Sequence, residues 1–145
     1  MPFDTLVIDA NLDRFRKMHS EIIEYYQCIE YDMKLIFSAM KWGDFDDNMD
    51  WLAQDNWGKV LQKLRSLDFS DGKPLFSKQD YKYLDELRED RNYWCHQCYL
   101  DYVYEQDYKE KHQILQELLD DLECDRKRAY DLHQKLLKAY NNHFC

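Results

Sequence analysis

Residues 8–40 decide the fold, and they read IDANLDRFRKMHSEIIEYYQCIEYDMKLIFSAM. Apolar side chains recur in this stretch at steps of three and four residues, which is the spacing of one face of an α-helix. The positions are Ile8, Leu12, Phe15, Met18, Ile22, Tyr26, Ile29, Met33, Ile36 and Met40. Gly43 and the acidic loop residues that follow it break the pattern, so a long first helix is predicted over residues 9–41.

Three further helices are predicted downstream. A shorter second helix covers about residues 50–67, and residues 69–76 form a turn because they contain the only Asp-Gly pair and the only internal proline. Ser77 then offers a helix-capping hydroxyl, which starts a third helix running to about residue 106. The fourth helix is predicted over residues 108–141, with leucines and alanines on one face.

The composition agrees with these helices and excludes other classes. The 145 residues include only 3 glycines and 2 prolines, too few for the many tight turns of an all-β fold. We therefore expect an all-α protein, an antiparallel up-down bundle of about four helices in one domain spanning residues 1–145. A mean hydropathy of −0.84 excludes a membrane-spanning chain. The start of the chain lacks the features of a secretion signal, and five cysteines are an odd count, so reduced thiols and a cytoplasmic location are expected.

The third predicted helix carries an arginine where apolar residues are expected. Arg91 projects within the same sector as Leu84, Leu87 and Cys98, and a guanidinium is rarely buried without a paired anion. The full stripe is Leu84, Leu87, Cys95, Cys98 and Tyr102. Either Arg91 pairs with one of the chain's own acids, or it lines a recess that receives an anionic ligand. From residue 92 to residue 104 the helix is almost uncharged, which predicts that it is buried on all sides, partly against a second subunit.

Two polar residues follow Arg91 on the same predicted helix. Asn92 and His96 are four residues apart and share a face, with Tyr99 one turn further, whereas Arg91 and His96 diverge by about 140°. A two-fold dimer along this helix would bring both copies of each residue into one cleft. In such a cleft a histidine can move a proton and an arginine can hold a phosphate.

The segment Arg91-Asn92-Tyr93-Trp94-Cys95-His96 resembles the signature of the HEPN family (higher eukaryotes and prokaryotes nucleotide-binding). That signature is an arginine, four to six residues and a histidine, often with a polar residue directly after the arginine. Many members are helical-bundle, metal-independent endoribonucleases of toxin–antitoxin, abortive-infection or RNA-surveillance systems. The resemblance extends weakly over the chain, through a long first helix, a Trp57–Leu64 stretch similar to the family's short second helix, and a motif midway along the third.

This resemblance implies a function and a set of roles. The chain would be an endoribonuclease that cleaves RNA through the substrate's own 2′-hydroxyl, at a site formed across a homodimer, with no metal or other cofactor and with an antitoxin protein as a possible partner. His96 would act as general acid or base, Arg91 would stabilise the charge that grows on the phosphate, and Asn92 would orient either group. Tyr93 and Tyr99 would stack a base.

One branch of the family is paired with a nucleotidyltransferase and places a tyrosine two residues after the histidine. This chain has Cys98 there, and its tyrosine is Tyr99. Control by tyrosine modification is therefore not expected.

The net charge of −9 places a condition on this function. Each phosphate contact needs a lysine or arginine, so the RNA must meet a local basic recess. The candidates for its lining are Lys59, Lys63 and Arg65 in the second predicted helix and Arg88 in the third.

Other interpretations of the same residues stay open. The bundle could be a noncatalytic nucleotide-binding or protein-interaction module that dimerises through the third helix, or a purely structural bundle in which Arg91 pairs internally. The spacing of Cys95, His96 and Cys98 is similar to that of zinc ligands, but the sequence has no second Cys-x-x-Cys pair to complete a zinc site.

Two further patterns are read as structural. The acids at 44, 46, 47 and 50 lack the spacing of a calcium loop, and we expect a solvated loop there. The alternative Arg–His pairs, Arg14 with His19 and Arg126 or Arg128 with His133, lie among charged neighbours and are expected on solvated faces.

Overall fold

The structure is a computed structural model that describes the backbone of residues 2–145 and the side chains of residues 9–145. Within that part of the chain there are six α-helices and no strand, which confirms the expected all-α helical bundle. The helices are α1 (Pro2–Met40), α2 (Phe45–Leu52), α3 (Trp57–Asp68), α4 (Lys78–His96), α5 (Cys98–Val103) and α6 (Tyr108–Phe144), with a short 3₁₀ turn (Phe69–Asp71) after α3.

The two long helices α1 and α6 lie side by side and form the spine of the bundle. Of the predicted apolar face of α1, the residues from Phe15 to Ile36 are buried, Leu12 and Met40 are half-buried, and the side chain of Ile8 lies outside the described part. They pack on the leucines of α6, including Leu118, which share one face because their spacing follows the helical repeat.

The direction of each helix follows from its contacts. Ion pairs between α1 and α6 advance together along both helices, from Arg14–Glu123 through Glu21–Arg126 to Asp32–His133, so the two helices run parallel. The shorter helices between them reverse direction in turn: α2 returns along the end of α1, α3 runs forward, and α4 runs back.

The predicted second helix is wrong as a single element. It divides into α2 and α3 because Asn56 has extended backbone and its side chain accepts the N–H of Lys59, which caps a new helix. The acids after Gly43 belong to α2 rather than to a loop. Asp44 caps α2 by accepting the N–H of Asp47, and negative charge in a first turn complements the helix dipole.

The predicted third helix begins where expected and then breaks. Ser77 and Asp80 form a capping box at the start of α4, and Gln97 separates α4 from α5. The carbonyl of Trp94 lies 2.6 Å from Nε2 of His19 and also accepts the thiol of Cys98. Because these side chains insert into the helical hydrogen-bond ladder, the helix cannot continue unchanged through Gln97.

A buried carboxylate fixes the turn between α3 and α4. Asp68 is almost fully buried and accepts the N–H groups of Leu75 and Phe76 together with the hydroxyl of Tyr81. Such charge-assisted hydrogen bonds compensate the cost of removing the carboxylate from water. They hold α3 and α4 side by side, which forms the face where Arg91 lies.

Candidate functional site

Arg91 lies where α1, α3 and α4 meet. Its guanidinium carbon is 5.4 Å from the ring centroid of buried Trp57 in α3, a distance at which a cation is attracted by an aromatic face. Nη2 donates a hydrogen bond of 3.2 Å to Oδ1 of Asn92. The nearest acid is Glu30 of α1, whose Oε2 is 4.0 Å from Nη1. The guanidinium of Arg91 therefore lies between an aromatic ring, an amide and a more distant carboxylate.

The contact with Glu30 bears on the two interpretations of Arg91. The chain does supply an acid of its own, as the internal-pair alternative requires. However, the distance of 4.0 Å is at the long limit for an ion pair, and the side chains of Arg91 and Glu30 are 24% and 26% exposed. A long, partly solvated pair contributes little to stability. About a quarter of the Arg91 side chain is therefore in contact with solvent.

Asn92 and His96 lie on the outer side of α4. Both are exposed, and His96 occupies the last turn of the helix, directly before the break at Gln97. No hydrogen bond or ion pair among residues 9–145 joins Arg91 to His96. This agrees with the divergence expected from helical geometry, so one protomer does not bring the two side chains together.

The two tyrosines proposed to stack a base both have partners within the chain. Tyr93 donates its hydroxyl to Asp101, and its ring meets Trp94 edge-on. Burial and the carboxylate of Asp101 raise the pKa of Tyr93. Tyr99 is half-buried against the rings of Phe15 and His19. Tyr93 therefore joins α4 to α5, and Tyr99 joins α5 to α1.

The predicted basic lining is only partly available. Arg88 packs on Gly58 and pairs with Asp85 at 3.3 Å, and its Nε is buried without a hydrogen-bond partner. Lys59 is exposed in the first turn of α3. Lys63 is engaged elsewhere, because its ammonium bonds Asp55 and lies over the ring of exposed Trp51.

The expectation that residues 92–104 are buried on all sides, partly against a second subunit, stays a prediction, because one protomer covers only one side of this stretch. Cys98 and Tyr102 are buried, whereas Cys95 is exposed. Leu100, Val103 and Tyr104 are more than half exposed. They form an apolar surface on and just after α5, close in sequence to His96. Clustered exposed apolar side chains are typical of interaction surfaces.

The thiols near the motif do not form a metal site. Among the described residues, no group of three or more His, Cys, Asp or Glu side chains is arranged to hold a metal ion, and all five cysteines are free. Burial raises the pKa of the Cys98 thiol to about 11 and also raises the pKa of Cys95, although the charge of Arg91 opposes the second shift.

The competing Arg–His pairs were expected on solvated faces, and this is wrong for both histidines. His19 is half-buried against the carbonyl of Trp94. Nδ1 of His133 bonds buried Asp32, and Arg126 bonds Glu21. Each of these residues joins α1 to another helix. His96 is the exposed histidine of the three, and Arg91 has the longest contact to an acid.

Sequence reasoning missed the residues that surround Arg91. Glu30 lies 61 positions away in the chain, and nothing in its local sequence marks it. Gly58 did carry a signal, since a glycine inside a helix is unfavourable and usually has a packing reason. A Cβ atom at Gly58 would lie 3.0 Å from Nη1 of Arg88, so the glycine makes room for that guanidinium.

Comparison with protein-family models, curated proteins and solved structures finds no match for this chain. None of the described helices has both the length and the apolar character needed to cross a bilayer. The fold and the site together define an all-α helical bundle with a solvent-accessible arginine on an aromatic ring and an exposed histidine five residues later.

Proposed function

We propose that this chain is a metal-independent endoribonuclease of the HEPN type, an effector of the kind used in toxin–antitoxin or abortive-infection systems. The observation that carries the proposal is the setting of Arg91. Its guanidinium rests on Trp57, keeps about a quarter of its side chain in solvent and has only a long contact with Glu30. An arginine held in this way can bind a phosphate with two parallel hydrogen bonds.

In the proposed reaction the substrate's 2′-hydroxyl attacks the neighbouring phosphorus. His96 removes the hydroxyl proton, the bond from phosphorus to the 5′-oxygen breaks, and the leaving oxygen receives a proton from the second histidine of a dimer. Arg91 stabilises the negative charge that grows on the phosphate oxygens. Asn92 holds the guanidinium through its 3.2 Å hydrogen bond and so positions it.

A homodimer is part of the proposal because Arg91 and His96 do not converge within one protomer. The exposed side chains of Leu100, Val103 and Tyr104 supply an apolar surface beside His96. Burying this surface against a second copy would place the two His96 side chains close to each other across the two-fold axis. We place the enzyme in the cytoplasm, where its RNA substrate is found.

The test is cleavage of single-stranded RNA of mixed sequence in excess chelator. Wild type should cleave, and His96→Ala and Arg91→Ala should not. His143→Ala is the matched control for the histidine, because His143 is also exposed in the last turn of a helix, and Arg14→Ala is the control for the arginine. Equal survival of the RNA with wild type and His96→Ala would remove the catalytic proposal.

The apolar surface at α5 also favours a second candidate, a noncatalytic module that binds a nucleotide or a protein partner. That module would keep Arg91 and His96 as dimer or ligand contacts. It predicts that wild type binds a nucleotide or a partner, leaves RNA intact, and loses its dimer when Leu100 is changed to Asp. Sedimentation combined with the cleavage assay separates the two candidates.

A further inference from the structure

A groove between α3 and α4 carries an excess of positive charge in a chain whose net charge is −9. It encloses a cavity of about 490 Å³. We name it the α3–α4 groove, and its lining is Gly58, Leu61, Gln62, Arg65, Lys78, Tyr81, Lys82 and Asp85. Three of these residues are cationic and one is acidic, so the groove attracts anions.

The three cations are free to meet a ligand. Arg65, Lys78 and Lys82 are exposed, and none of them makes an ion pair with a residue in the described range 9–145. The one acid of the lining, Asp85, is already 3.3 Å from Arg88. On α6, by contrast, Lys127 and Lys135 each lie within hydrogen-bond distance of a carboxylate.

The groove and the Arg91 site both border the start of α3. Gly58 lines the groove and lies against Arg88, while the adjacent Trp57 packs against the guanidinium of Arg91. Lys78 and Lys82 are one helical turn apart, about 6 Å along α4, and Arg91 follows about 14 Å further on. Arg91 is nine residues after Lys82 and lies about 180° around the helix from it, so a strand bound in the groove must turn around α4 to reach Arg91.

We propose that the α3–α4 groove binds the phosphodiester backbone of a single-stranded nucleic acid, with Arg65, Lys78 and Lys82 as the phosphate contacts. The identification of that strand as RNA rests on the proposed function. Lysine and arginine contacts to phosphates give affinity without sequence preference. The groove positions the strand, and Arg91 and His96 act on it.

The test measures binding in the His96→Ala background, so that cleavage does not interfere, by the anisotropy of a labelled single-stranded RNA over a range of salt concentrations. The groove variant combines Arg65→Gln, Lys78→Gln and Lys82→Gln. The control variant makes the same change of charge on exposed α6 positions, with Lys109→Gln, Lys127→Gln and Lys138→Gln. Circular dichroism establishes that both variants are folded.

We expect the groove variant to lower the slope of log affinity against log salt by about 2, since each phosphate contact on a single strand contributes about 0.7. The corresponding loss of affinity is about a hundredfold at about 0.1 M salt. RNAs of different sequence should lose affinity equally. Groove and control variants with the same affinity would overturn the proposal, as would failure of the parent protein to bind RNA at low salt.

Other outcomes separate this proposal from the proposed function. Displacement of the RNA by poly-glutamate at equal charge concentration would mean that the groove takes an acidic peptide, which overturns the proposed ligand. Groove-dependent binding by a wild-type protein that never cleaves would retain the groove and remove the nuclease. If His96→Ala abolishes cleavage but the groove variant binds RNA as tightly as its parent, the nuclease proposal is kept and the groove proposal is removed.

Discussion

Nε2 of His19 lies 2.6 Å from the carbonyl oxygen of Trp94, and this contact joins the middle of α1 to the end of α4. It also falls where α4 breaks, so we expect His19 to fix the position of the motif that ends at His96. Replacing His19 by Ala removes the hydrogen bond and the ring packing on Phe15, and should lower the free energy of unfolding by about 1–2 kcal/mol. Urea denaturation measures the change. His143→Ala, at an exposed position, should change it by less than about 0.5 kcal/mol. Equal effects of the two variants would contradict a structural role for His19.

Glu30 competes with any external anion for Arg91. Glu30→Gln should therefore raise RNA affinity several-fold in the His96→Ala background while costing less than about 1 kcal/mol of stability, because the pair is long and partly solvated. Glu123→Gln makes the same change of charge beside exposed Arg14 and should leave the affinity nearly unchanged. If Arg91 is purely structural, Glu30→Gln instead destabilises the fold by about 3 kcal/mol or more and has no separate effect on RNA.

Replacing Gly58 by Ala should not lower the stability of the fold but should lower the affinity for RNA. Alanine is the better helix former, by up to about 1 kcal/mol, so Gly58→Ala should leave stability unchanged or raise it. Its Cβ would lie 3.0 Å from Nη1 of Arg88 and displace that flexible side chain. RNA affinity should then fall. Ser66→Ala, on the exposed side of α3, is the control for helix propensity and should not alter binding. An unchanged RNA affinity in Gly58→Ala would show that Arg88 does not contact the RNA.

The capping box of α4 predicts a dependence of stability on pH. Burial raises the pKa of Asp80, but hydrogen bonds from Lys135 and Ser77 outweigh it and hold the pKa below its usual value of 3.8. The carboxylate therefore stabilises the fold above pH 3.8, and this contribution is lost as the pH falls through the lowered pKa. Asp80→Asn should cost about 1 kcal/mol at neutral pH and progressively less in acid, as measured by denaturation at a series of pH values. A constant difference between the two proteins would show that ionisation of Asp80 is not involved.

The cysteines should differ in reactivity. Cys98 is buried, and its pKa is raised to about 11, so almost no reactive thiolate is present at neutral pH. Cys124 and Cys145 are exposed. Alkylation followed by mass spectrometry should modify these two first and Cys98 only after unfolding. Early modification of Cys98 in the native protein would mean that α5 opens readily from the bundle.

The bundle could be predicted from the sequence because its long helices carry regular apolar faces. The face of α1 follows from residue spacing alone, and Ser77 marks the start of α4 through its side chain. The breaks were not predictable in the same way. The break at Gln97 depends on His19, which lies far away in sequence, and the start of α3 depends on Asn56, whose neighbours resemble the interior of a helix.

In the candidate site too, local sequence features could be predicted, whereas contacts between distant parts of the chain could not. Arg91 was found because a charge within an apolar stripe is unusual, and its divergence from His96 follows from the helical repeat. Its partners Glu30 and Trp57 come from other helices and could not be paired with it from one sequence. Whether an arginine in such a stripe is clamped or accessible depends on a distance of 4.0 Å, which only the folded chain defines.

The four indoles fall into two groups, which gives the protein a built-in optical probe. Trp57 and Trp94 are buried near the motif, whereas Trp42 and Trp51 are largely exposed. An aqueous quencher such as iodide should quench the fluorescence of the two exposed tryptophans and leave that of the two buried ones. The remaining fluorescence then comes from Trp57 and Trp94, and its Trp57 component should change when an anion reaches the neighbouring guanidinium in unlabelled protein.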